Sequence, residues 1–163
     1  MAAPVTIGFR KIGHGWADLE FRIGERAFVA SGVSHTTDSL GDLLRSAILI
    51  VTGSARATIQ FDREPAEWRI LLNSMLDIAT GRGPVQIRIW EFDDVYAARP
   101  DAEGQEVFIA DCDALEFGSA VLKMANDIAD DYENLGWDKP FPLAAVHALQ
   151  SALRTYNSDY GTL

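Results

Sequence analysis

Trp16-Ala17-Asp18-Leu19-Glu20-Phe21-Arg22-Ile23 alternates without a break, with Ala17, Leu19, Phe21 and Ile23 on one side and Asp18, Glu20 and Arg22 on the other. Successive Cβ atoms of a strand point to opposite faces, so this period of two marks a strand with one dry and one wet face. Gly24-Glu25 supplies turn chemistry, and Arg26 to Ser31 returns as the hairpin partner. Val5 to Arg10 fits one more strand on the other side. Downstream, Ala55, Ala57, Ile59 and Phe61 alternate with Arg56, Thr58, Gln60 and Asp62, and the pattern resumes after Arg63-Glu64-Pro65 at Trp68, Ile70 and Leu72. Val85, Ile87 and Ile89 form another strand, as do Val107 to Cys112. Residues 73–83 read as a loop with one turn.

Elsewhere the apolar period lengthens. Thr37, Asp38 and Ser39 offer caps to a helix carrying Leu40, Leu43, Leu44, Ala47, Ile48 and Val51 on one face, which ends at Gly53. From Asp113, the residues Phe117, Val121, Met124, Ala125, Ile128 and Tyr132 recur at three and four, predicting a helix of about twenty residues that stops near Gly136. Pro142 opens a last helix with Leu143, Val146, Leu149 and Leu153. Strands adjacent in sequence, with no strand–helix–strand alternation, predict an α+β fold. The expected architecture is two-layer: a mostly antiparallel sheet of six or seven strands, with about three helices packed on one face. Residues 1–163 are expected to form a single globular domain.

Charge is distributed unevenly. Residues 91–138 contain fourteen carboxylates against Arg99 and Lys123, whereas the first ninety residues are nearly neutral and the whole chain carries −10. Concentrated negative charge favours basic proteins or cations as partners and repels nucleic acid. The single cysteine, Cys112, precludes an internal disulfide. Met1 to Thr6 lacks the pattern of a secretory leader, and the longest aliphatic run, Ala47 to Val51, is far short of a bilayer span. The expectation is a cytoplasmic protein with no membrane partner.

Trp90-Glu91-Phe92-Asp93-Asp94 is the sharpest local feature, with two large rings beside three carboxylates at a strand end. Rings that pack on the sheet explain it; so does an interface anchor for a basic partner, a role Trp137 could share. Asp127, Asp130 and Asp131 lie at helical spacing and can share one helix edge, either as a solvated face or as a magnesium site. Asp113 with Glu116 reads first as a helix cap and second as part of a metal-binding patch with Asp111. His14, His35 and His147 lack local zinc-ligand spacing, and no Gly-x-Ser-x-Gly elbow, dinucleotide fingerprint or P-loop lysine is present. No cofactor and no catalytic residue is assigned.

The segments Ser39-Leu40-Gly41-Asp42-Leu43-Leu44, Trp90-Glu91-Phe92-Asp93-Asp94 and Lys139-Pro140-Phe141-Pro142-Leu143 together resemble a family of small uncharacterised bacterial proteins, a likeness that covers most of the chain. In size, acidity and architecture the chain is also similar to immunity proteins, which neutralise a cognate toxin. The concentrated acidity and its aromatic anchors predict a non-enzymatic binding protein, immunity-like or otherwise inhibitory, engaging a basic protein through Trp90, Glu91, Phe92, Asp93, Asp94, Asp127, Asp130, Asp131 and Trp137. The alternatives are a divalent-metal-dependent hydrolase using Asp93, Asp94, Asp111 or Asp113, and a self-associating protein, a homodimer that buries Trp90, Trp137 or the last helix.

Overall fold

The alternating segments become seven strands: β1 (Val5–Gly13), β2 (Trp16–Ile23), β3 (Arg26–Ser34), β4 (Arg56–Arg63), β5 (Ala66–Ser74), β6 (Pro84–Phe92) and β7 (Gln105–Asp113). Three helices accompany them: α1 (Ser39–Val51), α2 (Ala114–Ile128) and α3 (Leu143–Tyr160). A 3-10 stretch, Ala129–Leu135, continues α2. The structure, a computed structural model, describes residues 3–75, 77, 79, 83–95 and 98–160, the side chains of 158–160 excepted. The fold is α+β and every strand pairing is antiparallel.

The strands form two sheets rather than one, β1-β2-β3 and β4-β5-β6-β7. Helix α1 separates β3 from β4 in sequence, and β3 then crosses the second sheet instead of joining its edge. Phe28 of β3 lies 5.8 Å from Phe108 of β7 and 5.4 Å, edge-on, from Trp68 of β5. Farther along, Trp68 Nε1 donates to Ser31 O (3.1 Å), and beyond the end of β3 Thr36 Oγ1 donates to Asp62 of β4 (3.0 Å). Contacts that walk from β7 through β5 to β4 describe a strand lying across the others, as in orthogonal sheet packing.

A bulge bends β3 at this crossing. The register slips between Ala17 and Leu19, opposite Gly32 at φ 73°. Asp18, on the face that alternation assigns to solvent, is only 5 % exposed, because its carboxylate fills the bulge. It accepts from Ser31 Oγ (2.8 Å), Gly32 N (3.1 Å) and Arg10 (2.7 Å), so the desolvated charge is fully met.

Helix α1 packs on β4, α2 on β1, and α3 on the two other helices. The stripe Val146, Leu149, Leu153 and Tyr156 of α3 is buried there. Gly118 of α2 allows the close approach: a Cβ at that position would come within 2.7 Å of Val51 and 3.0 Å of Leu153. One continuous core, with Phe21, Phe61 and Phe117 fully buried, joins both sheets and the helices. Asp38 caps α1 through Gly41 N (3.3 Å). Of the segment 73–83, the first two residues extend β5 and Met75 N donates to Pro84 O (2.9 Å), which makes β5 and β6 a hairpin; residues 76, 78 and 80–82 lie outside the described residues.

Candidate functional site

The five residues from Trp90 to Asp94 close β6, and their environments diverge. Phe92 is 3 % exposed, covered by the connection to β7, whose Gly104 leaves room for the ring: a Cβ there would lie 2.6 Å from it. Arg69 of β5 stacks on the other side of the cluster, 4.1 Å from the Phe92 centroid. Its guanidinium donates to Glu67 (2.8 Å), to Asp101 (2.9 Å) and to the carbonyl of Arg99 (2.6 Å), strapping the connection across the sheet. Burial by itself would lower the Arg69 pKa, but hydrogen bonds to Asp101 and Glu67 outweigh it and hold the group above its ordinary value.

Three further arginines act on the same acidic segment. Arg56 pairs with Asp101 (2.9 Å), Arg63 with Glu91, and Arg88 with Glu106 (2.5 Å) while lying 5.1 Å over the Trp90 ring. Trp90 is half-buried and its Nε1 has no hydrogen-bond partner among the described residues. Cations from the nearly neutral N-terminal portion thus neutralise Glu91, Asp101 and Glu106. Asp93 is exposed, and Asp94 is half-buried and partnered.

Asp127, Asp130, Asp131 and Trp137 occupy a different part of the molecule. Helix α2 is α-helical only to Ile128 and then tightens, so Asp127 lies in the α-helix and Asp130 and Asp131 in its 3-10 continuation. Asp127 pairs with Lys123 (2.6 Å), and Asp131 accepts from Asn134 (2.6 Å). Trp137 is half-buried and edge-on to Phe9 of β1 at 5.3 Å. A rise of about 1.5 Å per residue separates Asp113 at the start of α2 from Asp127 near its end by roughly 21 Å. The carboxylates of Asp113, Glu116 and Asp127 are therefore strung along α2 rather than clustered with one another.

The turn Gly13-His14-Gly15 clamps this far end. Gly15 N donates to Leu135 O (2.9 Å), Gly15 O accepts from His35 N (2.9 Å), and Lys11 donates to Asn134 O. The His14 ring covers Gly136, at φ 69°, where a Cβ would fall 2.3 Å from it. His35 Nδ1 lies 3.3 Å from the Asp138 carboxylate without the alignment of a hydrogen bond. Tyr132, 3 % exposed, has its hydroxyl pushed up to about 12 by burial and, secondarily, by Asp38.

Asp113 is committed to the cap: it accepts from Leu115 N (2.8 Å) and Glu116 N (3.2 Å). Between Asp111 and Asp113, Cys112 is buried and its thiol is pushed up to about 12, first by burial and then by Asp113, Asp111 and Glu116, which makes it a poor nucleophile. Among the described residues no three His, Cys, Asp or Glu side chains converge as a metal site, and no helix is long and apolar enough to cross a membrane.

A groove that alternation alone does not reveal runs along β7, which ends its sheet and has no further strand neighbour among the described residues. Two adjoining clefts of about 330 and 520 Å³ share Arg26 and Ile109 and separate the β7 edge from the β2–β3 turn. Arg26 Nη1 donates to the outward carbonyl of Ile109 at 2.6 Å. Glu25 and Asp111 line the larger cleft, and neither meets a cation among the described residues.

No protein-family model, curated protein or solved structure matches the chain.

Proposed function

We propose that this chain is a non-enzymatic acidic binding protein that engages a basic protein partner, in an immunity-like or otherwise inhibitory role. One observation carries the reading. Once the strand arginines have paired with Glu91, Asp101 and Glu106, the exposed carboxylates Asp93, Glu103, Asp111, Glu116, Asp130, Asp131 and Glu133 remain without a cationic partner among the described residues. Unpaired surface carboxylates raise the encounter rate with a positive surface and repel nucleic acid. Trp90 and Trp137, half-buried with unpartnered Nε1 groups, are the aromatic surfaces that a partner could cover.

The test is capture of a basic protein from the native cell, followed by association rates at low and physiological ionic strength. Wild type is expected to associate more slowly as salt rises, and a variant neutralising Asp111, Glu116, Asp130 and Glu133 is expected to associate slowly at both. A rate indifferent to salt and to those substitutions would overturn the reading.

A further inference from the structure

Strand β7, one of the edge strands of the two sheets, presents unpaired main chain beside two open clefts. Residues Gln105–Asp113 pair with β6 on one side only. In an antiparallel ladder the N–H and C=O of one residue point the same way, and the Ile109 carbonyl faces Arg26; the Ile109 amide is therefore also directed away from β6. Bare edges of this kind invite another strand, and proteins that must avoid it use prolines or inward charges. Strand β7 has no proline; a slip in register leaves Val107 unpaired near one end, and the strand from Phe108 to Asp113 is regular.

Arg26 indicates what the edge takes. Its guanidinium occupies the position where a main-chain donor of an added strand would reach Ile109 O, and the clefts on either side of it are open. Charge selects the occupant. Glu106 is paired with Arg88 and Asp113 caps α2, so the carboxylates left free along the edge are Asp111 and, across the cleft, Glu25; β7 has no basic residue with which a second copy could meet them, whereas lysine or arginine of another chain would face them favourably.

We propose that the open edge of β7 accepts an extended basic segment of a partner protein as an added strand, with Arg26 displaced from Ile109 O. Alternate side chains of the segment lie beside Asp111 and Glu25, and those between them, small and apolar, turn toward Ile23 and Ala27. This rests on the acidic-binding reading above and names where and in what form the partner docks.

The probe is a short blocked peptide alternating lysine and valine, compared by calorimetry with its glutamate–valine analogue and with a copy methylated on alternate backbone nitrogens. Wild type is expected to bind the lysine peptide at least about tenfold more tightly than either analogue. Ile109→Pro, which removes only an outward amide, and Asp111→Lys are expected to weaken it by a similar factor. Arg26→Ala is expected to tighten it, because the competing donor is gone. Equal binding to wild type, Ile109→Pro and Asp111→Lys would overturn the edge assignment and leave the acidic-binding reading standing; failure of wild type to bind the lysine peptide, together with salt-independent association of the captured partner, would remove both. A homodimer dissolved by Ile109→Pro would make a second copy the occupant and overturn the proposal.

Discussion

Arg69 rests on the ring of Phe92, 4.1 Å from its centroid, and from there its guanidinium holds Glu67 and Asp101. The ring keeps water from one face of the cation, and the carboxylates satisfy its edge. Glu67, 1 % exposed, has no other cation beside it among the described residues, so the pair is a buried ionic unit that closes the β6–β7 connection over the sheet.

Arg69→Met should therefore be among the costliest single substitutions outside the core. Removing one member of a buried pair leaves the other charged and desolvated, at about 3–5 kcal/mol. Urea unfolding of Arg69→Met, and of the double variant with Glu67→Met, checks this: the double variant is expected to recover most of the loss, and equal stability of the two would refute the account.

Asp113→Ala should lower stability by about 1 kcal/mol, the ordinary worth of a helix cap. The measurement is the urea midpoint, with magnesium present and absent. A cap gives the same loss in both; dependence on the cation would return Asp113 to a metal role.

Alkaline pH should destabilise the fold through Cys112 and Tyr132. Both pKa values are raised to about 12 in the folded chain, from 9.0 and 10.0, so above the lower values the unfolded state releases protons that the folded state retains. The stability these groups contribute is full below pH 9 and is lost as pH rises toward 12. Cys112→Ala and Tyr132→Phe should each flatten that fall in urea melts. At pH 7 Tyr132→Phe should cost little, since its hydroxyl has no hydrogen-bond partner to lose.

Gly136→Ala should destabilise by about 1–3 kcal/mol, the cost of a left-handed conformation at a residue bearing a side chain. The new Cβ would also meet the His14 ring. Combining it with His14→Ala should return only the steric part, visible as coupling in a double-mutant cycle. Strict additivity would mean that His14 does not cover Gly136.

Much of the fold was legible because local patterns imposed it. The alternation in β2, β4 and β6 and the three-and-four spacing of α1 and α2 each state which face is dry, and local chemistry states the ends, as Asp38 and Asp113 do for the two helices. Asp18 broke the pattern. Its burial depends on a bulge in β3 whose Ser31 and Gly32 lie thirteen and fourteen residues away in sequence.

What the chain determined by itself was the class of its elements, their order, their antiparallel pairing and the excess of carboxylate after residue 90, because each follows from neighbours within a few residues. Only the tertiary structure decided that the strands divide into two crossed sheets, that Arg56, Arg63, Arg69 and Arg88 meet the acids of residues 91–106, and that β7 is left with a bare edge. Those outcomes turn on which strand lies beside which, and a strand's own alternation carries no information about its neighbour.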